Sequence, residues 1–267
     1  MTIASSIPRH DWDALPPLLG ADDPPAFTRL NPGAASRILL LGDHAGRAVP
    51  AALDRLGLGD PPFERHIAYD IGVEPVVRAL SRLLDATAIF ANHSRLVIDP
   101  NRQLIDPTSI CVISDGVIVP GNRGLTWQDR ARRVRDLFEP YHAAIEAEVE
   151  ARVAAGHPPI VVSVHSFTPE MNGFHRPWHV GLLWGDDGDL SIAMASALGR
   201  DRSLVVGENE PYSGKNAHGY TMEEHVYPRR LTNTLIELRQ DLVRDAPAAE
   251  AWAERLADAI AETTATR

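Results

Sequence analysis

The stretch RILLLGDHAGRAVP, residues 37–50, contains a short apolar run that ends at Gly42 and is followed by polar residues. This pattern is typical of a strand that is buried on both faces of a sheet. Similar runs occur later in the chain: TAIFAN (87–92), RLVID (95–99), PIVVSV (159–164), HVGLLW (179–184), SLVVG (203–207) and TLIEL (234–238). We therefore expect a central sheet whose first core strand lies within residues 37–42.

Segments with apolar residues at helical spacing lie between most of these runs. They span residues 72–84, 127–155, 190–199 and 248–261. Thr126 followed by Asp129 is a capping signal for the longest segment, and Pro140 is expected to kink or split it. Strands that alternate with helices predict an α/β fold of three layers, with a mixed, mostly parallel central sheet.

Composition indicates an ordinary folded protein, since 44% of the 267 residues are hydrophobic and 23% are charged. The formal net charge of −10 has the wrong sign for a protein that neutralises phosphates, which argues against nucleic acid as a partner. No apolar segment resembles a signal peptide or a membrane span, so we expect a cytoplasmic protein without a membrane partner. We predict an extended N-terminal arm over residues 1–36 and one α/β catalytic domain over residues 37–267.

The histidines offer a candidate metal site. The single cysteine, Cys111, excludes a thiolate zinc site, so a metal would need histidines and carboxylates as ligands. His44 and His165 each follow or end a predicted strand, at the sheet edge where ligands bind in open α/β folds. Two imidazoles need a carboxylate to complete a catalytic site, and Asp70 in HIAYDIG is the first candidate. Alternatively, Asp70 caps the helix that begins near residue 72.

The segment SRLVIDPNR, residues 94–102, offers a candidate site for an acidic substrate. Arg95, Asn101 and Arg102 bracket a predicted strand end and a turn. A guanidinium group binds a carboxylate with two hydrogen bonds, and a neighbouring amide can donate a third. The alternative is a surface network of salt bridges, or a plain Asx turn at residues 99–101.

The segment LIELRQD, residues 235–241, places Glu237 within an apolar strand. A buried carboxylate is unfavourable unless it is paired or functional, and a raised pKa would make it a competent general base for a metal-activated water. The alternative is that Glu237 and Arg239 line a solvent-exposed face of the strand by simple alternation.

Taken together and in order, the motifs resemble those of the N-formylglutamate amidohydrolase family, a relative of zinc carboxypeptidases, aspartoacylase and succinylglutamate desuccinylase. The segments that carry the resemblance are DHAGRAVP (43–50), HIAYDIG (66–72), SRLVIDPNR (94–102), SDGVIVPGNRGL (114–125), VSVHSFTP (162–169), RPWHVGLLW (176–184), GENEPYSG (207–214), YT…H (220–225) and LIELRQDL (235–242). The resemblance implies a zinc-carboxypeptidase-like (phosphorylase/hydrolase-like) fold with one catalytic Zn²⁺.

The resemblance also implies roles for single residues. His44 and His165 match the two histidine ligands, and Glu237 matches the carboxylate base. Arg95 matches the arginine that polarises the scissile carbonyl. Asn101 and Arg102 match the Asn-Arg pair that holds the substrate carboxylate.

The chain departs from the wider group in one place. Relatives there carry His-x-x-Glu, with both ligands in one turn, whereas Arg47 stands three residues after His44. The second ligand therefore remains open between Asp70, which we place first, and Asp43. The candidates for a proton donor or a wall of the substrate pocket are Tyr212, Tyr220 and His225.

The function implied is hydrolysis of N-formyl-L-glutamate, or of a similar small acidic N-formyl or N-acyl amino acid, to formate and the free amino acid. This reaction belongs to amino-acid degradation and histidine catabolism. One alternative is a zinc hydrolase of another N-acyl amino acid or of a small peptide. An alternative of another class is a non-catalytic carboxylate-binding protein that has lost its metal site. The oligomeric state is left open.

Overall fold

A mixed seven-stranded sheet is the centre of the computed structural model, which describes residues 12–215 and 219–265. The strands in chain order are β1 (Phe27–Leu30), β2 (Ile38–Gly42), β3 (Thr87–Ala91), β4 (Ile113–Ser114), β5 (Val117–Ile118), β6 (Ile160–Phe167), β7 (Glu170–Met171), β8 (Phe174–His175), β9 (Val180–Leu183), β10 (Val206–Glu208) and β11 (Asn233–Arg239). Across the sheet the order is β1-β3-β2-β6-β11-β9-β10, while β4-β5 and β7-β8 form separate hairpins. Within the sheet, β1-β3 and β9-β11 are antiparallel and the other pairs are parallel, which confirms the predicted mixed, mostly parallel sheet.

The helices lie close to their predicted positions. They are α1 (Val73–Leu83), α2 (Trp127–Arg133), α3 (Glu139–Ala154), α4 (Asp189–Leu198), α5 (Thr221–His225) and α6 (Ala246–Thr264). The predicted capping box is present, because the Thr126 hydroxyl accepts from the Asp129 amide and the Asp129 carboxylate accepts from the Thr126 amide. The predicted irregularity is a π-helical turn, Val134–Phe138, which joins α2 to α3 just before Pro140.

Alternation along β2 explains the three layers. Leu40 packs into a core with helices α1, α4 and α6 on one face of the sheet. Leu39 and Leu41 point to the other face, where they pack with residues of α3 and α5. Every residue of β2 is buried, as expected for a strand covered by helices on both sides. The predicted three-layer α/β fold is confirmed.

Two segments differ from the sequence prediction. The run 95–99 is not a strand, although Leu96, Val97 and Ile98 are buried in a third apolar cluster. The buried guanidinium of Arg133 donates to the Val97 carbonyl, so this backbone group is satisfied without a neighbouring strand. Within the predicted N-terminal arm, β1 pairs with β3 and forms one edge of the sheet, and residues 1–11 lie outside the described residues.

The topology places three strand ends side by side. Strands β2, β6 and β11 are neighbours and run parallel, so their carboxyl ends lie at one edge of the sheet. His44 follows β2, and His165 and Glu237 are paired positions on β6 and β11. Among the helices of residues 12–215 and 219–265, none has both the length and the apolar character required to cross a membrane.

Candidate metal centre and active site

Three predicted ligands meet at this edge of the sheet. His44, Asp70 and His165 are all buried, and one ligand atom from each lies within 4.8 Å of the others. The Asp70 Oδ2 atom is 2.9 Å from His165 Nδ1 and 3.5 Å from His44 Nδ1. The Asp70 amide also donates to the His44 carbonyl at 2.8 Å, which ties the turn before α1 to the end of β2. Asp70 is not the cap of α1, because Gly72 holds that position without a side-chain hydrogen bond.

The outer nitrogen of each imidazole faces another carboxylate. His44 Nε2 lies 2.7 Å from Asp99 Oδ1, and His165 Nε2 lies 3.3 Å from Asp43 Oδ2. Histidine ligands in metal sites commonly donate their second N–H to such a carboxylate, which fixes the orientation of the ring. Asp43, the alternative ligand of the sequence analysis, thus lies behind His165 rather than beside the three converging atoms.

The paired groups in this cluster stabilise one another's charges. Burial alone would raise the pKa of Asp70, but the positive charge of Arg95 and His44 outweighs it and holds the pKa well below its usual range. For His165, burial alone would lower the pKa, but its contacts with Asp43 and Asp70 outweigh burial and raise the pKa well above its ordinary value. In the metal-free protein, the site therefore favours imidazolium and carboxylate forms, and a bound cation would have to displace protons.

Glu237 is a buried carboxyl with a different environment. Its side chain is on β11, opposite His165 on one neighbouring strand and Gly181 on the other, and the residue is 7% exposed. Its Oε2 atom has no hydrogen-bond partner among the described residues. Burial raises the pKa of Glu237 to about 7. The prediction that this carboxylate lies within the sheet and not on a solvent face agrees with the structure.

Arg95 and His66 lie against the same cluster. The Arg95 guanidinium is paired with Asp70, donates to the His66 carbonyl at 2.8 Å and lies 3.4 Å from His44 Nδ1. The His66 ring lies 3.4 Å from Arg95 and 3.5 Å from Asp70. Burial and the charge of Arg95 lower the pKa of His66 to about 3, so this ring is neutral. The sequence pattern assigns no role to His66, although this residue lies only four positions before Asp70.

A cavity of about 770 Å³ opens beside these residues. Its wall includes His66, Arg95 and Asp99 from the cluster, and the predicted substrate-binding residues Arg102 and Tyr212. The hairpins β4-β5 and β7-β8 contribute to its rim. The cavity therefore lies against Arg95 and Asp99, which contact the candidate ligand His44, and it is large enough for an acylated amino acid.

The other three predicted substrate-binding residues lie elsewhere. The Asn101 side-chain oxygen accepts from the backbone amides of Tyr220 and Thr221, at 2.7 and 3.0 Å, so it holds the start of α5. His225 Nδ1 contacts Glu146 at 2.7 Å, and its ring stacks on another histidine. Within the described part of the chain, Asn101, Tyr220 and His225 are not among the residues lining this cavity. The geometry gives them a supporting position behind the site.

Comparison with known proteins agrees with this architecture. The family model of N-formylglutamate amidohydrolase matches residues 36–244. A crystal structure of a gene product from Agrobacterium tumefaciens is 31% identical over 93% of this chain and 98% of that chain, with a TM-score of 0.87. The N-formylglutamate amidohydrolase of Ralstonia eutropha JMP134 is 22% identical over 90% of this chain and 98% of that chain, with a TM-score of 0.70. This second likeness bears on the fold.

No curated protein matches the chain. The family match nevertheless covers most of the sequence, including all the residues that meet at the sheet edge. The resemblance deduced from the motifs is thereby confirmed. The chain belongs to the N-formylglutamate amidohydrolase family, and it is a hydrolase that acts on carbon–nitrogen bonds of linear amides.

Proposed function

We propose that the protein is a metal-dependent hydrolase that cleaves N-formyl-L-glutamate, or a similar acidic N-formyl or N-acyl amino acid, to formate or another acid and the free amino acid. The observation that carries the proposal is the convergence of His44, Asp70 and His165 next to the buried Glu237. Such a reaction fits a role in amino-acid degradation, in particular the histidine catabolism implied by the family resemblance.

The donor set supports Zn²⁺ as the ion. Two imidazole nitrogens and one carboxylate oxygen are the ligands of many catalytic zinc sites, which leave one position for water. His44, Asp70 and His165 would hold the ion. The chemistry that such an ion supplies is Lewis acidity, which lowers the pKa of water and polarises a carbonyl group.

Glu237 is proposed as the general base and then the general acid. A pKa of about 7 leaves the carboxyl partly ionised near neutral pH, where both directions of proton transfer are accessible. The carboxylate accepts a proton from the attacking water and delivers it to the nitrogen of the leaving amine. One C–N bond breaks and one C–O bond forms, so the products are a carboxylic acid and an amine.

The arginines are proposed to handle the substrate's charges. Arg95 lines the cavity next to the candidate ligands, where its positive charge stabilises the oxygen that becomes negative in the transition state. One such preorganised donor contributes about 3–4 kcal/mol. Arg102 lies on the cavity wall, and we propose that it binds the substrate carboxylate. Tyr212 is exposed enough, at 38%, to contact a ligand from the rim.

The test is release of the free amino acid, and of formate from the formylated substrates, by purified protein whose metal content is determined by elemental analysis. The panel contains N-formyl-glutamate, N-acetyl-glutamate, N-formyl-leucine and a dipeptide, each assayed before and after removal and restoration of zinc. We expect zinc-dependent turnover that is fastest for the formylated acidic substrate. Faster turnover of N-formyl-leucine or of the dipeptide than of the two glutamate derivatives would overturn the proposed substrate class. Binding of acidic ligands without turnover in the zinc-loaded protein would identify a non-catalytic binding protein.

A further inference from the structure

We propose that Tyr141 and Thr221 are positioning residues. They hold the Asp43 carboxylate in the orientation that faces His165, and this carboxylate in turn orients the His165 ring as a metal ligand. The proposal rests on the proposed metal site, and it assigns a function to two hydroxyl groups outside the cavity. Among the described residues, neither lines the cavity, and the hydroxyl group of each bonds Asp43 rather than a converging ligand atom.

Both hydroxyls bind the same carboxylate oxygen. Asp43 Oδ1 accepts a hydrogen bond of 2.7 Å from the Tyr141 hydroxyl and one of 2.8 Å from the Thr221 hydroxyl. All three residues are at most 1% exposed, so water does not compete for these bonds. Burial and the neighbouring carboxylate raise the pKa of Tyr141 well above its ordinary value, so its hydroxyl keeps the proton that it donates.

The second oxygen of Asp43 is left for His165. Asp43 Oδ2 and His165 Nε2 lie 3.3 Å apart, and neither atom has a hydrogen-bond partner among the residues described. An ionised carboxylate can only accept, so a hydrogen bond between these two atoms would place a proton on Nε2. With the proton on Nε2, the other ring nitrogen, Nδ1, can present its lone pair on the side of Asp70.

The fold explains why two distant residues can do this together. Tyr141 belongs to α3 and Thr221 begins α5, and both helices cover the same face of the sheet. They are tied together by a buried contact of 3.0 Å between His142 Nδ1 and His225 Nε2. His142 also bonds the Pro100 carbonyl at 2.9 Å. This arrangement gives His225 a structural role behind the metal site.

The experiment compares Tyr141→Phe, Thr221→Val and the double variant with the parent protein. Thr221→Ser keeps the hydroxyl and serves as the conservative rescue. Thr234→Val is the matched control, because Thr234 is fully buried in β11 and its hydroxyl bonds Ser191. Zinc affinity is measured by competition with a chromophoric chelator. The Nε2–H proton of His165 is followed by ¹H–¹⁵N NMR, with and without zinc, and assigned with a His165→Gln sample.

We expect the double variant to bind zinc about 10- to 100-fold more weakly, as is typical when outer partners of metal ligands are lost. The exchange of the His165 Nε2–H with solvent should accelerate, whereas KM at saturating zinc should change little. Thr221→Ser and the control should behave like the parent. The proposal is overturned by parent-like zinc affinity and proton exchange in the double variant, or by an equal loss in Thr234→Val. The proton readout remains decisive even if the protein hydrolyses none of the acyl amino acids.

Discussion

The buried carboxyl of Glu237 should destabilise the metal-free protein at alkaline pH, and Glu237→Gln should remove this effect. Burial raises the pKa of Glu237 from 4.5 to about 7. Between these two values the unfolded chain loses a proton that the folded protein keeps, so the free energy of unfolding decreases as the pH rises. At 1.36 kcal/mol for each pH unit, the full loss is about 3 kcal/mol above pH 7.

The assay is urea unfolding of chelator-treated protein at about pH 5 and about pH 8.5. We expect the free energy of unfolding of the Gln variant to exceed that of the parent by less than about 1 kcal/mol at the lower pH and by about 3 kcal/mol at the higher pH. Turnover of the zinc-loaded variant should fall by about 10²- to 10⁴-fold, because the base is lost. Glu208→Gln, at an exposed position of β10, is the control and should show no pH-dependent difference. If the Gln variant gains the same stability at both pH values, the reasoning is refuted.

The remaining predictions concern substrate binding, metal binding and the turn after β2. Arg102→Ala should raise KM for acidic substrates by about 10- to 100-fold, the equivalent of about 1.5–3 kcal/mol for a charged hydrogen bond. If the substitution leaves KM for acidic substrates unchanged, or changes KM for acidic and neutral substrates equally, this role is contradicted. Zinc binding near neutral pH should release protons, because neighbouring carboxylates outweigh burial and raise the pKa of both candidate histidine ligands. Calorimetry in buffers of different ionisation enthalpy measures the release, and a buffer-independent enthalpy would argue against it. Gly46→Ala should strongly destabilise the fold, because a Cβ atom there would lie 2.1 Å from the Asn92 carbonyl. Gly20→Ala is the control, because a Cβ atom at this position would meet only ordinary contacts, and it should change the free energy of unfolding by about 1 kcal/mol or less. Similar urea midpoints for the two variants would exclude the clash at Gly46.

The sheet could be predicted from the sequence because its signal is local. In β2, consecutive leucines face opposite sides, and both sides are covered by helices, so the run is apolar without interruption. The run 95–99 also contains three consecutive apolar residues, Leu96 to Ile98, and is not a strand. Its Val97 carbonyl accepts a hydrogen bond from Arg133, which is 36 residues away in the sequence. A hydrophobic pattern reports burial, and it cannot report which group completes the backbone hydrogen bonds.

The site could be predicted only in part for the same reason. His44 and His165 were recognisable because each has a fixed relation to a strand end. Asp99 was interpreted only as part of a turn, yet it contacts His44 across 55 residues of sequence. The positions of Tyr220 and His225 depend on how α5 packs against α3, which no local pattern specifies. The roles of these residues therefore depend on contacts between distant segments, which a local sequence pattern does not specify.

A contact between distant segments also explains how the site can form without the His-x-x-Glu pattern. Arg47, which stands where the wider group has the ligand glutamate, pairs at 2.7 Å with the exposed side chain of Glu64. In the proposed site the carboxylate comes instead from Asp70, whose amide is bonded to the carbonyl of His44. One backbone hydrogen bond thus holds the proposed carboxylate ligand next to the proposed imidazole ligand. The ligand set needs a fixed distance between an imidazole and a carboxylate, and it does not require that both come from one element.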